Sequence, residues 1–390
     1  MIAIVGAGAM GVALASHLAR GGHQTTVLAT EYDDAVVAAW HQGQPHPALG
    51  VVPSSDITLV GPNGWPSVLN AADIVVVAVS TPGLVPVLAT AAPHVAADAV
   101  WVLATKGWQH DTLQGPSEVA TALLGPTASV VTLAGPGIAA EILTGAPTAL
   151  LCAAHSSTAR RTVADALRSP SMLTITTSDV VGAETASAYK NIVAMAVGLA
   201  EGLSERFMER AYVRAFANAR SAMFAQGMID MVRLAEAKGG RAATVIGLAG
   251  SGDLYVTSNH GRNGRFGQLL GSGATPEQAN KDTVDCERRA TNDASLRAGG
   301  LYGPSYNGPY YRGRGTTRAD IAWDPSADRQ HDRDEEQEGG ERLRLGIKQR
   351  DRTGEEDSGV AQREHPRHMA HVGDGLAGLQ VLSDVVAHKA

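Results

Sequence analysis

Residues 1–31 read MIAIVGAGAMGVALASHLARGGHQTTVLATE, with three glycines in the first eleven positions directly behind a short apolar run. Ile2-Ala3-Ile4-Val5 is too brief and too rich in β-branched residues to start a helix, so it reads as a buried strand. Gly6, Gly8 and Gly11 follow with G-x-G-x-x-G spacing, and Val12 to Ala19 then has helical composition. Each glycine has a separate task. Gly6 permits the tight turn off the strand, Gly8 lets a pyrophosphate approach the backbone, and Gly11 lets the helix pack close to the sheet. Amides freed at the helix N-terminus, around Ala9, Met10 and Gly11, offer a partial positive charge to phosphates. A second apolar strand follows at Thr25 to Ala29, and Glu31 lies about 20 residues after Gly11, where a ribose-binding acid is expected. Strand, glycines, helix, strand and acid arrive in order. The opening is therefore read as the grip on a dinucleotide, against the alternative of a glycine-rich turn with no ligand.

A chain of 390 residues exceeds one ordinary domain, so two domains, or one plus a tail, are expected. Apolar residues make up 44%, ample for a core, and aromatic residues only 4%. The net charge of −7, with no basic patch before the tail, argues against a nucleic-acid partner. Met1 leads straight into the first strand with no secretory signal pattern, and no apolar run reaches the length of a membrane span. The only cysteines, Cys152 and Cys286, make no disulfide framework and suit a reducing cytoplasm. No cluster with metal-ligand spacing stands out.

Further strands are expected at Ile74 to Val79, Val100 to Ala104 and Val130 to Leu133, then in TALLCAA and LTITTSD. Near-continuous apolar runs separated by helical or polar segments mark a parallel sheet covered on both faces. Residues 1–179 thus read as a doubly wound α/β nucleotide-binding domain. At Val180 the texture changes. VVGAETASAYKNIVAMAVGLAEGL is small and apolar nearly all round, the pattern of a buried helix. A second helical stretch ends at Gly239-Gly240, and glycine-rich turns with short helical pieces follow, so residues 180–281 read as an all-helical second domain. From 282 to 390 the apolar alternation disappears. In HDRDEEQEGGERLRLGIKQRDRTGEEDS more than half of the residues are charged, and such a segment cannot bury enough apolar surface to offset its ordering entropy. This region is expected to be largely disordered, with one short helix in DGLAGLQVLSDVVAHKA.

A nucleotide site does not define a reaction. Lys106 ends VWVLATKG at the carboxyl edge of the sheet, where doubly wound folds bind ligands, and Gly135-Pro136 occupies that edge one strand later. Lys190 and Asn191 sit inside the apolar helix, Asp253 and Thr257 in GSGDLYVTS, Arg262 and Asn263 in HGRNGRFG. Lys190 is the most informative, because a lysine between ASAY and NIVAMAVG either snorkels to solvent or serves a site. Burial lowers the ammonium pKa, which suits a general acid/base near neutral pH. The plainer readings are a surface lysine for Lys106, a helix cap for Asp253 and a surface charge for Arg262. Arg-Asn on a glycine-rich turn also suits clamping a phosphate by fork geometry.

Seven segments together, GAGAMG, ATKG, AGPGIAAE, AYKNIVAMAVGLAEGL, NARSAMFAQGMIDMVRLAEAKGG, GLAGSGDLYVTS and GRNGRFGQLLGSG, resemble in order and spacing the motifs of NAD(P)-dependent sn-glycerol-3-phosphate dehydrogenases over residues 1 to about 280. The resemblance implies hydride transfer between NAD or NADP and C2 of dihydroxyacetone phosphate, supplying glycerophospholipid synthesis, in a cytoplasmic homodimer. It also implies roles. Lys190 would be the catalytic acid/base, with Lys106 and Asp253 beside it. Asn191, Lys106 and Asp253 would hold the substrate; Arg262 and Asn263 would contact its phosphate. Lys106 and Arg262 would also reach the cofactor, and Ala140 would lie near the nicotinamide. Glu31 would repel a 2′-phosphate and favour NAD.

Three departures stand out. Gly137 replaces a serine or threonine after Gly-Pro, and the Asp253 to Arg262 loop is about two residues short, with Gly261 at a serine position. The family's last helices, expected after Gly273, are absent from the text, as a shifted reading frame would produce. Two rival readings remain open: a related β-hydroxyacid or ketopantoate-type reductase, and a catalytically impaired dinucleotide-binding protein.

Overall fold

In the computed structural model, which describes residues 1–207 and 216–283, the opening run becomes β1 (Ile2–Val5), buried along its whole length. It pairs in parallel with β2 (Thr25–Leu28) on one side and β4 (Ile74–Val77) on the other, placing Ile4 opposite Val27 and Val76. The sheet is completed by β3 (Ile57–Val60), β5 (Val100–Leu103), β6 (Ser129–Ala134), β7 (Thr148–Ala153) and β8 (Met172–Thr177). Their order is β3-β2-β1-β4-β5-β6-β7-β8. Alternate residues of β1 face opposite layers. Ile2 and Ile4 meet Leu14 and Leu18 of α1 (Ala9–Arg20), while Ala3 and Val5 share a core with Leu84 and Leu88 of α4 (Thr81–Ala91). Both faces being covered explains why the strands read as unbroken apolar runs. Strand order reverses between β1 and β4, which opens a crevice at their carboxyl ends.

Two features differ from the sequence expectation. β3 was not expected: it is a four-residue edge strand in which only Ile57 is buried, too short and too exposed to give a periodic signal. β7 runs antiparallel to β6, with β8 parallel to β7, so the sheet is mostly rather than wholly parallel. A continuous apolar run such as Thr148–Ala153 reports burial on both faces, not direction.

From β8 the chain enters α8 (Val180–Phe207), then α9 (Ala217–Ala237), α10 (Ala242–Ile246), a π-type turn at Leu248–Gly252, α11 (Asp253–His260) and α12 (Arg262–Gly271). Val193, Val197, Met231 and Leu254 form a core that Ala134 and Leu151 of the sheet extend, so all described residues belong to one compact unit. Of the expected tail, 282–390, residues 282 and 283 are helical, whereas 284–390 lie outside the described residues, as does 208–215 at the head of the second helical stretch.

α8 and α12 pack backbone to backbone through glycines one turn apart on each helix. A side chain at Gly198 would run into the Gly264 carbonyl oxygen, and one at Gly202 into that of Gln268. Reciprocally, Gly267 faces the Met195 carbonyl oxygen and Gly271 that of Leu199. No methyl fits here without separating the helices, and overpacking of this kind costs about 1–3 kcal/mol. Gly267→Ala should therefore lower the thermal midpoint by several degrees in a calorimetric scan. Gly61→Ala, at an exposed glycine with nothing within 4 Å of an added Cβ, should not.

Candidate active site

The crevice is a cavity of about 560 Å³ lined by Gly6, Gly8, Thr30, Glu31, Asp33, Trp65, Val79 and Pro82, among others. Two of the three glycines are required by the protein itself. Gly6 has φ +106 and a side chain there would lie 2.7 Å from the Ala78 carbonyl oxygen; a side chain at Gly11 would strike the Gly6 carbonyl oxygen. Gly8 differs. It has ordinary extended backbone and nothing within 4 Å of an added Cβ, so no neighbour demands glycine there. The open space above it is what a pyrophosphate backing onto the turn would fill, and Ala9 and Met10 begin the helix whose N-terminus faces it. The residues present thus fit a dinucleotide.

Glu31 lines the cavity and is exposed. Asp33, which the sequence spacing did not single out, lines it too, and its Oδ2 accepts hydrogen bonds from Ala7 N (3.1 Å), Thr30 N (2.8 Å) and Thr30 Oγ1 (2.8 Å). Among the described residues, no lysine or arginine lines the cavity.

The structure brings Lys106, Lys190 and Asp253 together. Lys106 leaves β5 at the carboxyl edge of the sheet, and its Nζ donates to Asp253 Oδ2 (2.8 Å) and to the Gly135 carbonyl (3.1 Å). Lys190, on α8 and only 6% exposed, donates to the other carboxylate oxygen, Oδ1 (2.5 Å), and to Thr257 Oγ1 (3.0 Å). The Thr257 hydroxyl donates in turn to the Asp253 carbonyl one turn back (2.7 Å). Asp253 opens α11 directly after the π-type turn, with Gly252 in the cap position, and its carboxylate faces the two lysines. One buried carboxylate therefore serves two ammonium groups. Burial, and then the neighbouring charge of Lys106, push Lys190 down to about 8, against the opposing pull of Asp253.

α12 starts immediately beside this cluster. The Gly261 amide donates to the Thr257 carbonyl (2.9 Å), and a side chain at Gly261 would strike that same oxygen. The shortened loop noted in the sequence is thus a single-residue junction that only glycine fits. Arg262 is exposed and Asn263 half-buried at the N-terminus of α12, where backbone N–H groups attract an anion. Asn191 is half-buried next to Lys190, and Ala140 is exposed near the start of α6 (Ala139–Thr144).

A second buried acid of α8, Glu184, escaped the sequence reading, although a glutamate inside GAETASAY carries the same signal as Lys190. It accepts from Ser117 N (2.8 Å), Ser117 Oγ (2.9 Å) and Thr132 Oγ1 (2.8 Å). These bonds tie α8 to β6 and to the start of α5 (Pro116–Leu124). Burial raises the Glu184 pKa, and its three donors oppose that rise.

Family models, curated relatives and a solved structure identify the family. The model of the NAD-dependent glycerol-3-phosphate dehydrogenase N-terminus matches residues 1–160, and that of the C-terminus matches residues 179–291. A glycerol-3-phosphate dehydrogenase [NAD(P)+] of Shewanella halifaxensis is 33% identical over 291 residues, covering 72% of this chain and 80% of that protein. An NADP(+)-dependent glycerol-3-phosphate dehydrogenase of Archaeoglobus fulgidus is 30% identical over 282 residues, covering 72% of this chain and 82% of that one. Among solved structures, glycerol-3-phosphate dehydrogenase from Coxiella burnetii superposes with a TM-score of 0.66 at 28% identity, covering 76% of this chain and 88% of its own.

The electrostatics of the cluster can be tested directly. Lys106→Met removes the cation beside Lys190 and leaves Asp253 to Lys190 alone, and both changes favour the charged amine. The Lys190 titration, followed by its 13Cε shift, should move upward from about 8. An unchanged or lower midpoint would contradict the coupling.

Proposed function

The chain belongs to the family of NAD-dependent glycerol-3-phosphate dehydrogenases, and from that premise we propose that it interconverts sn-glycerol 3-phosphate and dihydroxyacetone phosphate. The observation that carries this reading is Lys190, a buried lysine poised at about 8 and held by Asp253 and Thr257, with Lys106 on the same carboxylate. When bound, the nicotinamide supplies the hydride to C2 of the ketone, or takes it from C2 of the alcohol. The remaining work belongs to the chain. As C2 gains hydride its oxygen gathers negative charge, and the Lys190 ammonium stabilises that charge and transfers a proton to it. In reverse, the neutral amine accepts the hydroxyl proton. A pKa of about 8 keeps both protonation states within reach of working pH.

Asp253 fixes the direction of the Lys190 N–H bonds, and Lys106 contributes a second positive charge beside the reacting oxygen. Asn191 follows Lys190 on α8 and offers a neutral amide for the substrate hydroxyl. Arg262, Asn263 and the amides opening α12 take the phosphate, whose remote binding energy positions C2. A β-hydroxyacid or ketopantoate-type substrate would leave that phosphate end unused. In the cavity, Glu31 and Asp33 together with the lack of a lining cation support NAD over NADP. The same reading divides the chain into a nucleotide portion, 1–179, and a substrate portion, 180–281, of a cytoplasmic homodimer. No helix among the described residues is long and apolar enough to cross a membrane.

Lys190→Ala should abolish turnover of dihydroxyacetone phosphate while NADH still binds, because it removes the proton donor and leaves the glycine turn intact. Retention of more than about a tenth of the wild-type rate, a cost below the usual 10²–10⁴-fold contribution of a general acid, would refute the role. Arg262→Lys exchanges a fork for a point charge. It should cost about 1–3 kcal/mol in kcat/KM for dihydroxyacetone phosphate, the scale of a charge-assisted hydrogen bond, and less for unphosphorylated dihydroxyacetone. Equal losses on the two substrates would remove Arg262 from the phosphate site.

A further inference from the structure

The loop between α2 (Asp34–His41) and β3 is exposed at residues 42–45 and again at 47–48, yet His46 between them is only 2% exposed. Its backbone is tied within the loop: His46 N donates to the Val51 carbonyl (2.8 Å), and the His46 carbonyl accepts from Gly50 N (2.8 Å). Its imidazole reaches back 39 positions, placing Nε2 2.9 Å from the Ala7 carbonyl oxygen, while Nδ1 lies 3.0 Å from Ala48 N. The Ala48 amide can only donate, so Nδ1 accepts, and the single ring proton sits on Nε2 and is donated to Ala7. Burial lowers the His46 pKa and keeps the ring in that neutral form.

Ala7 is fully buried between Gly6 and Gly8, and its other polar group is held as well: its N–H donates to Asp33 Oδ2. The two peptide planes on either side of Ala7 are thus each fixed by a side chain from a different loop. In a planar trans peptide the carbonyl and the N–H point in opposite directions. With the Ala7 carbonyl drawn toward His46, the Gly8 N–H of the same plane is turned away from His46, and Gly8 itself lines the cavity. Without these two bonds, a turn flanked by glycines would sample many orientations, and a ligand would bear the ordering cost.

We propose that His46 and Asp33 clamp Ala7 so that the glycine turn is preset to receive a dinucleotide pyrophosphate, making His46 a positioning residue for the cofactor. This rests on the dinucleotide reading of the crevice. The test uses three His46 variants of the full chain, titrated with NADH and NADPH by nucleotide fluorescence. His46→Gln keeps a donor at the Nε2 position, His46→Asn keeps only the acceptor near Ala48, and His46→Leu keeps neither. Loss of one buried hydrogen bond predicts Kd for the preferred nucleotide about fivefold to tenfold higher for Asn and Leu, with Gln close to wild type. kcat at saturating nucleotide and KM for dihydroxyacetone phosphate should stay within about twofold, a split that general destabilisation would not give. If Leu fails to fold, the Gln and Asn pair decides. Asn binding as tightly as wild type, or Gln as weakly as Asn, overturns the clamp. Wild-type protein that binds neither nucleotide overturns the dinucleotide reading itself, and the clamp with it.

Discussion

The carboxylate of Asp253, shared between Lys106 and Lys190, is the contact on which the rest of the arrangement depends. It joins the sheet, which carries Lys106, to α8, which carries Lys190, and it belongs to neither. A buried ammonium beside a half-buried one would be repelled toward its neutral form; one carboxylate between them holds both in place while leaving the cluster a net positive charge. That residual charge suits an oxygen becoming negative and a substrate that is already an anion. Removing the Asp253 carboxylate would leave both ammonium groups without a counter-charge, a loss of about 3–5 kcal/mol for comparable buried pairs, whereas removing Lys106 leaves a matched pair. The cluster is therefore structural joint and chemical centre at once. Glu184 repeats the device two turns earlier on α8, where its three hydrogen bonds fix the helix to β6 and α5.

A polar joint of this kind works only if the helix bearing it cannot shift. α8 is about 42 Å long at 1.5 Å per residue, and side-chain packing alone would leave room for it to slide. The paired glycines of α8 and α12 remove that freedom by bringing the backbones into contact. They also carry the geometry forward, because Gly261, just before α12, donates to Thr257, and Thr257 accepts from Lys190. The route from proton donor to the start of α12 thus passes through two contacts, both made by Thr257.

What the sequence displayed, and what it concealed, follows from the range of the interactions. β1, the glycine turn and α1 are local, so spacing alone located them. Lys190 was visible because a charge inside an apolar helix contradicts its surroundings. Asp253 was ambiguous because the same Gly-Asp pair begins many helices, and only the fold shows its carboxylate turned onto two lysines. Glu31 stood at the expected distance from Gly11, whereas Asp33, two positions on, bonds the turn through a geometry that spacing does not encode. His46 lies in a loop flanked by prolines, QPHPAL, where nothing periodic marks it as buried. The direction of β7 was hidden for a different reason: apolar content reports burial and is blind to polarity of the chain.

The three opening glycines illustrate how function separates from fold within one motif. Gly6 and Gly11 answer to each other and to Ala78, and they would be needed even if nothing ever bound. Gly8 answers to nothing inside the protein, and the space beside it belongs to the crevice. The polar groups around Ala7 do not divide in this way. Asp33 also satisfies Thr30, so it holds its own loop as well as the turn. His46 spends its one proton on Ala7, from a loop otherwise largely exposed. Its other ring nitrogen accepts from Ala48 of its own loop, so His46, like Asp33, joins a loop to the edge of the cavity, and the bond to Ala7 is the one a ligand in the crevice would use.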